Sequence, residues 1–321
     1  MMQIGLIGIS AGAAAALLFA SVTSGSWLSV ILFYLAPLPI MIAGLGWSHW
    51  AALVAGVVAA AAIGTIFGAA FFFAFLAGAG IPAWWLGYLT LLVRPGASPE
   101  APLEWYPPGR LVVWAAVSAA LIVMFAIPNF GLDAESFRAG LANAMSRLLE
   151  VETGTGAAVA PLPAGTNAKR LIDFLVVVIP PTAAVLATVT SLVNLWLAAR
   201  IVSFSGRLKR PWPQLSAMTF PPMVSAALAA AVALSFIDSL VGIIAGVIAA
   251  SLMMAYGVLG FAVLHDVTRG IGSRPFLLGG TYAAVIMFGW PVLVLCLVGL
   301  IESAAGLRAR MARRRGPPAT T

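Results

Sequence analysis

The chain has 321 residues, of which 62% are hydrophobic and only 8% charged, with a formal net charge of +7. A soluble domain carries about a quarter of its residues as charges to solvate its outside, so a water-soluble globular fold is excluded. From Met1 to Val93 there is no Lys, Arg, Asp or Glu, whereas a charge at the bilayer centre costs ~2.5–3.5 kcal/mol on insertion scales; the sequence reads as an all-α fold, a polytopic transmembrane helix bundle forming one integral membrane domain over 1–321.

A helix needs ~20 apolar residues to cross the hydrocarbon, and Gly, Pro and polar clusters mark the breaks. The first span is expected from Ile4 to Val22. It lacks the positive n-region of a signal peptide and is long enough to span, so it reads as a retained helix. The turn Thr23–Ser26 leads to a second span, Trp27 to Leu45, containing Pro37-Leu38-Pro39. Trp50 to Val93 is too long for one helix and divides near Gly64–Gly68 into two, with Pro82 expected to kink the fourth. After a proline-rich loop from Arg94 to Gly109, the fifth span runs from Arg110 to Pro128.

Residues 129–168 form an extramembrane segment. Its first half, 133–150, reads as an amphipathic helix: Asp133 can cap, and Phe137, Leu141, Met145 and Leu148 share one face. That face could lie on the membrane surface or pack on the bundle. The second half, Thr153 to Thr166, is an aperiodic Gly/Ala/Pro/Thr tract expected to be flexible. The sixth span follows from Leu171 to Ala199, expected to break at Pro180-Pro181. The seventh is Phe220 to Phe236, the eighth Val241 to Leu264, and the ninth Phe276 to Ile301, bent at Pro291. The stretch 307–321 reads as a basic disordered tail.

The count is therefore eight to nine spans, and the parity matters. Nine full crossings divide the basic residues almost evenly between the two faces; a tail on the same side as the other basic loops requires one proline-broken span to be re-entrant. The basic residues sit in loops and the tail, the pattern of positive-inside topology and contact with anionic headgroups, so the lipid bilayer is the partner and nucleic acid is not.

Few residues offer chemistry. Cys296 is alone and apolar in context, hence a packing residue. No spacing of His, Cys, Asp or Glu supplies the three or four convergent ligands of a metal site, and no P-loop, nucleophile elbow or dinucleotide fingerprint occurs, so no metal, cofactor or catalytic residue is assigned. Gly8, Gly12, Ala16 and Ala20 make a small-residue stripe on the first helix, suited to close approach by another helix, inside this chain or in a partner membrane protein. Asn194, one turn from Thr190, is an amide in hydrocarbon that must find a partner; with Tyr34 it marks either a helix–helix tie or a ligand contact. His265, Asp266 and Arg269 form a polar cluster, either a solvated loop or an acid–base site.

Several of these features together resemble a family. Pro37-Leu38-Pro39, Asn194 followed by Arg200, Pro211 and Pro213, Phe220-Pro221, the run Gly257–His265, and Gly299-Leu300-Ile301-Glu302 with Arg308 resemble the YybS-like bacterial membrane proteins (DUF2232) over essentially the whole chain. The resemblance implies a multi-pass protein of the bacterial inner membrane and carries no established activity. That family is in turn distantly similar to the S components of energy-coupling-factor transporters, which implies an S-component-like core in the first six helices and docking through the Gly8-Gly12-Ala16-Ala20 surface. Two features depart from S components: the turn Thr23–Ser26 is much shorter than their lid, and the spans beyond six are extra. The leading expectation is a small-molecule binding or transport component with Asn194, Thr190 and Tyr34 near its ligand. The alternatives are a non-catalytic scaffold or assembly factor, and a lipid-modifying enzyme using His265, Asp266 and Arg269.

Overall fold

The structure, a computed structural model, describes residues 2–96, 98, 102–154 and 168–315. Its helices are α1 (Met2–Ala20), α2 (Trp27–Tyr34), α3 (Pro37–Gly46), α4 (His49–Phe67), α5 (Ala69–Phe75) and α6 (Ile81–Thr90). A two-residue hairpin, β1 (Val93–Arg94) with β2 (Glu104–Trp105), precedes α7 (Pro108–Ala126) and α8 (Ala134–Gly154). Then come α9 (Ala168–Phe204), α10 (Met223–Leu234), α11 (Leu240–Val267), α12 (Arg274–Phe288), α13 (Pro291–Ala305) and α14 (Leu307–Arg315).

Local chemistry sets the ends. Ser26, Ser48 and Ser239 cap α2, α4 and α11, each side chain accepting a backbone N–H two or three residues on. Proline stands in the first turn of α3, α6, α7, α12 and α13, where its missing N–H is no loss. The break between α4 and α5 falls at Gly68, whose φ of 102° is open only to glycine, within the stretch where the sequence divides the apolar block.

Among the described residues, seven helical segments are long and apolar enough to cross a membrane, and α10, α12 and α13 are shorter. This differs from the expected eight to nine spans at two places. The seventh becomes α10, 12 residues. The ninth is not one bent helix: the chain reverses at Gly289, φ 71°, leaving α12 and α13 at 15 residues each, or about 22 Å apiece at 1.5 Å per residue. That is short of a ~30 Å hydrocarbon core. Conversely, Pro180-Pro181 does not break the sixth span; both lie inside the uninterrupted 37-residue α9, as neighbouring helices permit in a membrane bundle.

Two cores share α7 and α9. The first is built on alanine: Ala15, Ala52, Ala55, Ala59, Ala60 and Ala115 pack with Ile40, Ile63 and Phe75, all fully buried. Such small side chains bring α1, α3, α4 and α6 close together. The second gathers Val112, Leu228, Leu252 and Leu259 around the buried ring of Tyr256, whose hydroxyl meets Ser225 at 2.8 Å. The amphipathic α8 uses its apolar face inside the molecule, burying Phe137 and Leu141 against Ile127 and Val176. Asp133 caps it, accepting from Ser136 N at 2.9 Å and Glu135 N at 3.0 Å. These bonds, Ser136 first, hold the Asp133 carboxyl below its ordinary pKa.

One end of the bundle is knitted by arginines. Arg210 is buried and donates to Thr90 O at 3.0 Å and Tyr106 O at 2.8 Å, joining the α9–α10 loop to the hairpin before α7. Burial pushes this guanidinium below its ordinary pKa, and the two carbonyls stand in for water. Arg207 stacks over Trp47, 4.6 Å from the ring centre. Arg269, just beyond α11, donates to Ser216 Oγ, and Arg308, at the start of α14, donates to Ser216 O. Since residues 269 and 308 reach the same serine, the α12–α13 pair leaves and returns to one end. Thirteen of the seventeen Lys and Arg fall in segments at this end: Arg94, Arg110, the six from Arg200 to Arg274, and the five from Arg308 to Arg315. The other end carries Arg138, Arg147, Lys169 and Arg170, and is marked by the Arg138–Asp238 pair at 2.6 Å.

The tail expected to be disordered from 307 is helical through Arg315. Leu, Arg, Ala and Met are all strong helix formers, and Gly306, φ 59°, separates this helix from α13. Residues 316–321, and the expected flexible tract beyond Gly154, lie outside the described residues.

Candidate functional site

The structure brings Asn194, Thr190 and Tyr34 together. Asn194 is fully buried, and its Nδ2 donates to Tyr34 O at 2.8 Å and to Thr190 O at 2.9 Å. The need arises from the break between α2 and α3: Leu38 N turns to Leu35 O at 2.9 Å, leaving Tyr34 O without its usual helical donor. Asn194 reaches across from α9 to satisfy it. Asn194 thus ties α9 to the α2–α3 break, while its Oδ1 is buried without a hydrogen-bond partner, and none of the three residues lines the cavities around His265, Arg94, Pro180 or Leu192. Asn194→Leu is expected to destabilise the fold by about 1–3 kcal/mol, the cost of an unpaired buried carbonyl. Thermal unfolding of the detergent-purified protein checks this, and an unchanged midpoint would remove the tie from the account.

The first-helix stripe packs internally, the first of the two uses the sequence allowed. Gly8 and Gly12 are buried against α4. A Cβ on Gly8 would stand 2.6 Å from Val54 Cγ1, and one on Gly12 would stand 2.7 Å from Ala55 O. Ala16 is buried in the same core, and Ala20 is half-buried. The physical reason is proximity: a four-residue turn of chain and the α2–α3 pair return α4 to the smooth face before any partner can reach it.

Of the expected polar cluster, His265 and Arg269 line a cavity of about 460 Å³ at the basic end, whereas Asp266 is not part of its wall and touches it only through Arg269. Its polar wall is Ser216, His265, Arg269, Arg274 and Tyr282, and its floor includes Val112, Trp212, Val258 and Phe261. The end of α11 supplies His265; the turn after it supplies Arg269; α12 supplies Arg274 and Tyr282. The His265–Asp266 neighbours do not pair with each other. His265 Nε2 meets Tyr282 Oη at 2.9 Å, while Asp266 Oδ1 holds Arg269 Nη1 at 3.4 Å. Tyr282 stacks on Phe261 with ring centres 5.0 Å apart, which fixes its hydroxyl toward the histidine. Among the described residues no carboxylate is paired with the His265 ring.

Arg274 is the most informative residue. It forms no ion pair among the described residues, and its Nε is buried without a hydrogen-bond partner. Among the described residues its one side-chain hydrogen bond is Nη2 to His265 O at 3.5 Å, beyond good hydrogen-bond length. A planar, permanently charged fork with free donors in a cavity wall is suited to carboxylate or phosphate oxygens. A further cavity of about 250 Å³ lies at the opposite end between Phe137, Pro180, Pro181 and Ser239. One of about 340 Å³ opens at the hairpin around Arg94 and Glu104, which pair at 2.6 Å.

Sequence reasoning missed Trp212, Gln214 and Ser216, which line the cavity from an irregular loop without periodicity. It placed Arg274 and Tyr282 in a loop and a span separately, and nothing in their spacing joins them. Among the described residues no group of three His, Cys, Asp or Glu side chains could hold a metal ion.

No curated protein matches the chain, and no solved structure does. A family model matches residues 13–301, from within the first helix through the cavity and into α13. On that extent the chain belongs to the membrane-protein family described as "Predicted membrane protein (DUF2232)".

Proposed function

We propose that this multi-pass membrane protein is a small-molecule-binding component whose ligand sits in the 460 Å³ cavity at the basic end. The volume lies within the range of small-molecule sites, with an apolar floor and a few convergent polar groups. The observation that carries the reading is Arg274, a guanidinium in the wall that forms no ion pair among the described residues and whose Nε has no hydrogen-bond partner. The site moves from the Asn194 region to the end of α11, and the likeness to S components does not support it, because the stripe they would dock through is covered by α4. For the scaffold alternative, the apolar face of α8 is packed inside the chain rather than offered to a partner. The positive-inside rule assigns the basic end to the cytoplasm of a bacterial inner membrane.

Ligand-induced stabilisation tests the proposal. A compound present at about 100 times its Kd stabilises by about 2.7 kcal/mol, a shift of a few degrees in Tm. A panel of anionic, neutral and cationic solutes and lipids, applied to protein in a mild detergent, is expected to yield at least one such shift that Arg274→Gln abolishes. A panel without any shift would refute a ligand site here.

A further inference from the structure

A second cavity abuts the first. It encloses about 250 Å³ between α7, α9 and the α9–α10 loop, and its surface is almost wholly apolar, with Leu111, Leu192, Leu195 and Trp196 among its walls. Val112, Trp212, Pro213, Leu215 and Val258 line both cavities, so the two are neighbours along one shared set of side chains. Arg210, which also borders the apolar one, turns its guanidinium away to the Thr90 and Tyr106 carbonyls. The pair therefore has one end with two arginines and a histidine, and one end with leucines and tryptophan. Among the described residues Asp266 is the one carboxylate paired to either arginine, through Arg269, so the polar end keeps a positive excess.

From this juxtaposition we infer that the ligand is an anionic amphiphile, its phosphate-bearing head against Arg269 and Arg274 and its hydrocarbon chain along Trp212 into the apolar cavity. The inference rests on the reading of the polar cavity as a ligand site and adds the ligand's class. Each part of the ligand answers a feature of the wall. Guanidinium forks bind phosphate oxygens in pairs, and a chain lying on Leu192 and Trp196 removes apolar surface from water at the bilayer's edge. The face carrying these cavities is also the one with thirteen of the seventeen cations, which concentrates anionic lipid beside it. A soluble phosphate would fill only the first cavity and a neutral lipid only the second.

The test measures lipid retained by the full-length protein. Protein purified from micelles containing equal phosphatidylglycerol and phosphatidylcholine is passed over a sizing column, and bound lipid is counted by mass spectrometry. Phosphatidylglycerol is expected to be retained in excess. Arg274→Gln is expected to lose it by roughly tenfold, the effect of one lost charge-assisted bond to phosphate, while Arg138→Gln at the opposite end leaves it unchanged. Arg274 makes no strong bond within the protein, so its replacement leaves the fold intact, and an unchanged Tm without lipid confirms that. Inorganic phosphate is expected neither to displace the lipid nor to raise Tm. Equal retention of the two lipids, retention insensitive to Arg274→Gln, or displacement by inorganic phosphate would each overturn the inference. If a neutral or short-chain compound still gives an Arg274-dependent Tm shift, the ligand site stands and only its assigned class falls.

Discussion

Gly260→Leu is expected to prevent α13 from docking on α11 and to cost more than about 3 kcal/mol, the upper range for overpacking a close contact. The two helices cross where their backbones touch. A Cβ on Gly260 would fall inside the Leu295 carbonyl, and one on Gly299 would fall inside the Tyr256 carbonyl. Neither clash involves a flexible side chain that could rotate away, so the helices would have to separate. In lipid no hydrophobic drive between helices compensates for lost packing. Separation also uncovers Cys296, whose Sγ donates to Met253 O at 3.0 Å across the same crossing. Gly279, whose Cβ would meet nothing, supplies the control: Gly279→Ala should behave as the unmodified protein. The readout is the fraction recovered as a monodisperse peak in detergent, with the unfolding midpoint of what remains. A Gly260→Leu protein recovered at the normal level, with an unchanged midpoint, would mean the crossing is elsewhere.

Which parts of the molecule the sequence exposes follows from the kind of force that fixes each. Span positions depend on local hydropathy, and the first six came through within a few residues, as did the amphipathic helix begun at Asp133. The capping serines and the Gly68 break are likewise local. The turn at Gly289 was hidden because Pro291 alone reads as a bend, whereas a positive φ two residues earlier reverses the chain. That single reversal brings the tail back to the basic end, and with it the charge asymmetry that a nine-span count obscures. Asn194 was visible as a buried amide, but whether it ties helices or touches a ligand depends on an orphaned carbonyl 160 positions away. The cavity was legible only as the isolated cluster at His265. Ser216 reaches it from the irregular α9–α10 connection and Arg274 from the first residue of α12, and neither position carries a period from which a shared face can be predicted.

Arg308→Met is expected to destabilise the protein by about 3–5 kcal/mol, the cost of stranding one partner of a buried ion pair. Arg308 Nε bonds Glu302 Oε1 at 2.8 Å, with side-chain exposures of 11% and 9%. Its two terminal nitrogens donate to Ser216 O and, at 2.7 Å, to Met218 O, and its own backbone N–H donates to Glu302 Oε2 at 2.9 Å. One guanidinium thus fastens the end of α13 to the loop that forms a wall of the ligand cavity. Lysine cannot replace it, because a single ammonium cannot address a carboxylate and two divergent carbonyls in the same plane; Arg308→Lys should lose most of the stability that Arg308→Met loses. Adding Glu302→Gln to Arg308→Met removes the stranded charge and should restore part of the loss, an interaction energy that a double-mutant cycle isolates. The partial rescue should not extend to binding. Ser216 and Met218 remain unfastened in the double variant, so ligand-dependent stabilisation should stay weaker than in the parent even where the fold recovers. If the double variant regains both, Arg308 serves the fold alone, and the cavity wall is held by Arg269 and the packing of Met218 against Val112.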